Sequence, residues 1–212
     1  MSKNIYLFAT SKSKHARSIK SLDVRYLKPE IDFSKYDYLI VTSKQTVKAL
    51  EQYNKEEFIN IAALCVSDKT ADSYRAIGGK ILASGDGYGD NLIKNIRELP
   101  HVTKWLYLRA ELIASSFVQI AKEEGYEIDE KILYISECSK EILEVRVEDD
   151  STLIFTSPSS IECFLKNNTI HPNAKVIVIG TTTAAYLPKD IKYVISQNTS
   201  IESCIELAIE AK

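Results

Sequence analysis

Short apolar runs alternate along this chain with polar stretches whose apolar residues recur at helical spacing. The runs IYLFAT (5–10), DYLIVTS (37–43), KILAS (80–84), WLYLRA (105–110), TLIFTS (152–157), KVIVIG (175–180) and YVISQ (193–197), with one more inside 58–67, are almost continuously hydrophobic. That is the mark of strands buried on both faces. Between them the pattern predicts helices from Ser11 or Ser13 to about Ser21, and over about 44–53, 69–79, 91–99, 112–124, 159–167, 182–187 and 200–211. Gly78-Gly79 and Gly125 suit helix C-caps, and Asp90 suits an N-cap. Segments 23–31 and 127–136 read as extended, with Pro29 discouraging helix before it. Residues 137–150 are polar and give no periodic signal. Strands alternating with helices in this way predict α/β architecture with parallel sheets covered on both faces.

The pattern also repeats. LIVTSKQTVKAL (39–50) is echoed by LIFTSPSSIECFL (153–165), and LCVSDKTADSY (64–74) by VIVIGTTTAAYL (176–187). The offsets nearly agree: 156 minus 42 is 114 for the Thr-Ser pairs, and 183 minus 70 is 113 for the later threonines. A repeat of this size implies two similar domains with a site between them. Strand counting adds a constraint. Residues 37–136 supply about five strand–helix units, whereas 151–212 supply about three strands, too few for a comfortable sheet alone. The N-terminal strand makes up the shortfall. The expected organisation is therefore one discontinuous domain of residues 1–25 plus 138–212, an inserted domain of residues 34–130, and two linker strands at 26–33 and 131–137 that can pair as a hinge.

Composition narrows the function classes. The 212 residues are 45% hydrophobic and 26% charged, as in an ordinary globular protein. No apolar run approaches the ~20 residues of a membrane span, and the opening MSKNIYLFAT has no signal-peptide core, so a cytoplasmic location is expected. The net charge of −2 argues against a nucleic-acid partner. Lys12, Lys14, His15, Arg17 and Lys20 read first as a solvated helix face and second as a local anion patch. Cys65, Cys138, Cys163 and Cys204 have no CxxC spacing, and with three scattered histidines they predict neither a metal site nor a disulfide framework.

The candidate chemistry sits where strands end. In open α/β sheets ligands bind at the carboxyl ends of the strands, where helix N-termini present free N–H groups to anions. Thr42, Ser43, Thr156, Ser157 and Ser159 add hydroxyls there, as do Thr70, Thr182 and Thr183 at the later helix starts. Capping alone also explains such residues. Arg109, at another strand end, suits a carboxylate ligand or a structural salt bridge. GDGYGD (85–90) lacks the GK[ST] of a P-loop and reads as a flexible rim loop. No nucleophile–base constellation is visible, so an enzyme here would act by positioning and fixed dipoles.

These motifs resemble the uroporphyrinogen-III synthase family. The resemblance rests on VTSKQTVKAL, FTSPSSIECFL, IGTTTAAYL and its weaker partner VSDKTADSY, on LYLRAELIASSF, and on EEGYEIDEKILYIS, in order over essentially the whole chain. It implies two flavodoxin-like α/β domains joined by a two-stranded linker, as in HemD proteins. It implies a hydro-lyase of tetrapyrrole (haem) biosynthesis that needs no cofactor. Such an enzyme converts hydroxymethylbilane, a linear polycarboxylate, into uroporphyrinogen III, losing water and inverting the last pyrrole ring. The family's linker tyrosine corresponds to Tyr134, the candidate catalytic donor. Thr42, Ser43, Thr70, Arg109, Thr156, Ser157, Ser159, Thr182 and Thr183 become candidate substrate contacts, with no metal, no nucleic acid, no membrane and a monomer expected. The chain departs from the family at Ser67 and Ala110, where glycine is common, and at Thr10-Ser11, where an arginine is common. The competing expectation is a two-domain cytosolic protein that binds or senses a small anion without catalysis.

Overall fold

The computed structural model describes residues 4–113 and 115–210. Residues 1–3, Ala114 and residues 211–212, which the sequence assigns to the first domain, to the helix from Leu112 and to the last helix, lie outside the described residues. The chain opens with strands β1 (Ile5–Ala9), β2 (Arg17–Lys20) and β3 (Leu22–Tyr26). The central stretch runs β4 (Tyr38–Val41), α1 (Lys44–Leu50), β5 (Ala62–Cys65), α2 (Asp68–Ala76), β6 (Ile81–Ser84), α3 (Leu92–Arg97), β7 (Lys104–Ala110), α4 (Phe117–Glu123) and β8 (Glu127–Cys138). The last third adds α5 (Lys140–Glu144), β9 (Thr152–Phe155), α6 (Pro158–Leu165), β10 (Lys175–Val178), α7 (Thr181–Ala184), β11 (Tyr193–Ile195) and α8 (Ile201–Glu210). None of the described helices is long and apolar enough to cross a membrane.

Two compact units form. The end unit holds residues 1–23 and 137–212, and the middle unit holds 24–136. The end unit's sheet has the order β11-β10-β9-β1-β2, with every pair parallel. Counted along its own chain this is 2-1-3-4-5, the flavodoxin order. The middle unit's order is β3-β8-β7-β4-β5-β6, with β4 to β8 parallel. Its five parallel strands run 3-2-1-4-5 by the same count, the order of a Rossmann sheet without its sixth strand. The two units thus share a class but not a strand order.

Burial on both faces explains the continuous apolar runs. In the end unit Tyr6, Phe8, Leu153, Phe155, Val176 and Val178 join one cluster, completed by Ile161 and Phe164 of α6. Leu7, Ala9, Ile154 and Ile177 point the other way, against Cys204 and Ile205 of α8. Phe8 stacks on Phe155 with ring centroids 4.9 Å apart, and Phe164 closes against both. In the middle unit α1 and α2 cover one face through Val47, Leu50, Ala71 and Tyr74. There α3 and α4 cover the other through Leu92, Ile96, Phe117 and Ala121, around Trp105 and Tyr107.

Four expectations change. No helix forms over 11–21: residues 17–20 become β2, parallel to β1 in the register Tyr6↔Arg17 to Ala9↔Lys20. The polar residues 11–15 give a helix nothing to bury, while Ile19 is buried as a strand residue. Seven linking residues reach about 24 Å when extended, enough to return along a four-residue strand without a helix. Asp90 does not cap α3: its Oδ1 accepts instead from Ser116 N at 2.6 Å, on the loop before α4. The polar stretch after 137 contains α5, whose N-cap Ser139 accepts from Ile142 N at 3.1 Å and which buries only Ile142. One buried side chain in five residues leaves no periodicity to read.

The fourth concerns cysteine. Cys138 and Cys163 form a disulfide with Cα atoms 5.4 Å apart. The fold lays the end of β8 against α6, an adjacency that spacing along the chain does not reveal. Cys65 and Cys204 are free and buried, and burial pushes the Cys65 thiol up to about 12.

Gly78 (φ +100°) and Gly79 end α2, their N–H groups donating to Arg75 O and Tyr74 O at 2.9 Å each. A Cβ on Gly78 would meet nothing within 4 Å, but one on Gly79 would lie 2.3 Å from the Tyr74 ring. That ring is held by hydrogen bonds to Phe58 O and Ile61 O. Gly78→Asn should therefore lose about 1 kcal/mol or less, since asparagine tolerates left-handed backbone. Gly79→Asn should lose about 1–3 kcal/mol by overpacking, and urea unfolding of the two variants separates the cases. Separately, the disulfide closes a loop with a sequence separation of 25. Reduction should lower the unfolding free energy by about 2–4 kcal/mol; a Cys163→Ser variant should show no such response to reductant.

Candidate functional site

Each Thr-Ser pair stands at the switch point of its own sheet. In the middle unit Thr42-Ser43 follows β4, whose neighbour β7 carries the chain to the opposite face: α1 packs on one side, α4 on the other. In the end unit Thr156-Ser157 follows β9, whose neighbour is β1. There α6 covers one face, while the loop after β1 reaches the other through Ala16. Diverging loops leave a crevice at the carboxyl ends of the strands, and ligands occupy such crevices in open α/β sheets.

On the middle unit, Ser43 is the N-cap of α1, and its Oγ accepts from Gln45 N at 3.0 Å. Accepting that bond leaves the hydroxyl proton free for an anion. Thr42 Oγ1 lies 3.0 Å from the Tyr107 hydroxyl. Burial pushes the Tyr107 phenol up, which keeps it neutral. Thr70 is buried in the first turn of α2, with Oγ1 3.3 Å from Ser67 Oγ. Arg109 is half-buried and committed within the fold: Nε is 2.7 Å from Glu130 Oε2 without aiming its N–H there, and Nη1 donates to Ala110 O and Glu111 O at 2.8 Å each.

Tyr134 lies on β8 opposite Ala110, where the β7–β8 register shifts by one residue. Glu111 N donates to its carbonyl at 3.0 Å, so the residue sits level with the end of β7. Two strand spacings, about 10 Å, then separate Tyr134 from the β4 end. The residue is 8% exposed, and its hydroxyl is not among the buried polar atoms that lack a partner.

On the end unit, Thr156 Oγ1 donates to Phe8 O at 2.9 Å, joining β9 to β1 and using up its proton. Ser157 caps α6 in a capping box with Ser160, both bonds 3.2 Å, and Pro158 occupies the first helical position. Ser159 Oγ is 3.4 Å from Ser157 Oγ. In the short α7, Thr183 is buried and Thr182 exposed. The structure thus gathers Thr42, Ser43, Thr70, Arg109 and Tyr134 along one rim of the middle unit. It gathers Thr156, Ser157, Ser159, Thr182 and Thr183 along one rim of the end unit.

Two cations on the middle rim escaped the sequence reading. Lys44 and Lys69 are exposed in the first turns of α1 and α2. Lysine opposes the helix dipole at that end, so VTSK and SDKT carried a legible signal for an anionic ligand. Among the described residues no group of His, Cys, Asp and Glu could hold a metal ion.

Parallel sheets in two units, each with helix starts and hydroxyls at its switch point, define a two-unit α/β protein. The family described as uroporphyrinogen-III synthase HemD matches residues 10–206. The chain belongs to the uroporphyrinogen-III synthase family, and is accordingly a lyase of tetrapyrrole biosynthesis. It is similar to the crystal structure of uroporphyrinogen-III synthetase from Helicobacter pylori, at 26% identity and a TM-score of 0.81, covering 99% of this chain and 100% of that one. A mutant uroporphyrinogen III synthase from Thermus thermophilus shares the fold at 14% identity and a TM-score of 0.56, covering 98% of this chain and 100% of that one. No curated protein matches the chain.

The capping role of Ser157 is separable from any contact with a ligand. Ser157→Ala should lose about 1 kcal/mol of stability, and Ser157→Gly only a few tenths, because glycine tolerates the N-cap position. A Ser157→Ala protein as stable as the wild type in chemical denaturation would show that the hydroxyl does not hold the helix end.

Proposed function

We propose that the chain closes hydroxymethylbilane to uroporphyrinogen III on these two rims, with Tyr134 as proton or hydrogen-bond donor. The observation that carries the proposal is the placement of both Thr-Ser pairs at switch points. A linear polycarboxylate needs anion contacts spread along its length. Free hydroxyl protons on Ser43 and Ser157, first-turn N–H groups, and the Lys44 and Lys69 ammonium groups are of that kind. Thr42 and Thr70 support the middle rim, Ser159, Thr182 and Thr183 the end rim. Thr156, whose proton is taken by Phe8 O, acts by shaping β9 against β1, and Arg109 holds the end of β7.

In the reaction the pyrrole nitrogen's electrons expel the terminal hydroxyl, which leaves as water after taking a proton from Tyr134. The pyrrole N–H proton released in forming the azafulvene makes good that loss. Ring closure without guidance gives mainly the uninverted isomer, so the protein's main task is geometric: it holds the last ring for attack at its substituted carbon. The protein is proposed to work as a cytoplasmic monomer.

Incubating the protein with hydroxymethylbilane and separating isomers I and III tests this. Tyr134→Phe should slow formation of isomer III about 10–100-fold, the range for losing one proton donor. Full activity in that variant would remove Tyr134 from the role. A wild-type protein that binds the bilane without raising isomer III above the buffer rate would leave the non-catalytic binding protein instead.

A further inference from the structure

The segment 85–90, expected as a flexible rim loop, is tied down at almost every residue. Gly85 N donates to Cys65 O and Gly87 N to Val66 O, both at 2.8 Å, fastening the loop to the end of β5. The Asp86 carboxylate bonds back to its own loop, accepting from Tyr88 N at 3.0 Å and from Asn91 Nδ2 at 2.7 Å. Asp90 Oδ1 accepts from Ser116 N and Oγ on the next loop. Gly87 has φ +100°, which favours glycine, and a Cβ on Gly89 would lie 2.7 Å from Ser115. Gly89 and Asp90 of this loop are therefore packed on and bonded to Ser115 and Ser116, just before α4.

Between these anchors Tyr88 is held out, 72% exposed, and Leu112 on the adjoining loop is 83% exposed. Single exposed apolar residues are ordinary. Here two large ones sit on loops bonded to each other, one of them an aromatic whose backbone is fixed on both sides. Both loops follow parallel strands at their carboxyl ends, the edge that carries Thr42, Ser43 and Tyr134. The threonine and serine hydroxyls and the lysines of that edge offer contacts to carboxylates but no surface to the flat face of a pyrrole, and the Tyr134 side chain is buried.

We propose that Tyr88 and Leu112 are positioning residues that seat one pyrrole ring of the bilane. This rests on the reading of the chain as the enzyme that closes hydroxymethylbilane. The bonded glycine-rich loop fixes the Tyr88 backbone, so only the side-chain torsions of the ring remain to be ordered on binding. Its contribution acts on how the substrate is folded before closure, not on loss of the hydroxyl.

The test compares Tyr88→Ser, Tyr88→Phe, Leu112→Ser and Val102→Ser by steady-state kinetics, isomer ratio and unfolding midpoint. Val102 is the control: it is 80% exposed, but it precedes β7 at the opposite edge of the sheet. Tyr88→Ser should raise KM about 3–10-fold, the scale of one aromatic contact, and increase the share of isomer I. Leu112→Ser should act in the same direction, Tyr88→Phe should restore wild-type values, and Val102→Ser should change nothing. The midpoints should stay together, because the bonds that hold the loop are made by backbone and aspartate. A Tyr88→Ser protein with wild-type KM and isomer ratio overturns the proposal while the enzyme's activity stands. So does a Tyr88→Phe protein as impaired as Tyr88→Ser, or an equal effect at Val102. Absence of isomer III from the wild type would overturn the activity and this proposal together.

Discussion

Everything in this molecule follows from one requirement: a parallel sheet must be covered on both faces. Its strands cannot be joined by tight hairpins, so the chain leaves each strand, crosses a face and returns. In each unit two neighbouring strands send their connections to opposite faces, and at that place the carboxyl edge is left open. In the middle unit the neighbours are β4 and β7, in the end unit β9 and β1. The Thr-Ser pairs sit there, where Ser43 and Ser157 start the helices α1 and α6.

Hydrogen bonds within the fold sort the hydroxyls. Ser43 and Ser157 accept backbone N–H bonds and keep a proton to give. Thr156 gives its proton to Phe8 O and has only lone pairs left, of no use to a carboxylate. Arg109, the obvious carboxylate ligand in the sequence, is bracketed by Glu130 and two carbonyls. Lys44 and Lys69 on the middle unit's rim are exposed instead, at helix ends where the dipole disfavours them. A positive charge placed against the local field is a stronger pointer to an anionic ligand than a positive charge already paired.

The two units also differ in ways their shared motifs conceal. The first crossover of the end unit has no helix, since seven residues reach back along β1 without one. Its other face is covered by α8, with Cys204 and Ile205 in one cluster with Leu7 and Ile154, and by Ala16 of the loop after β1. The strand order departs from that of the middle unit because β9 pairs with β1, whereas β6 pairs with β5, although each Thr-Ser pair ends up beside a switch point. The repeat preserves the geometry of the strand ends rather than the path of the chain between them.

The sequence by itself determined the α/β class, because runs such as LIFTS and VIVIG can be stable only inside a sheet covered twice. It also determined the family and the alignment of the Thr-Ser pairs, which rest on local patterns of strand end and helix start. Tertiary structure alone decided which groups remain available. Whether Arg109 is free depends on Glu130, twenty-one positions away in the chain and across a strand pair. Whether Cys138 meets Cys163 depends on where β8 ends against α6. Whether a glycine-rich loop moves depends on carbonyls of β5 and on Ser116. Local sequence sets what a segment can form, while the partners of its polar groups are chosen by the packing of segments distant along the chain.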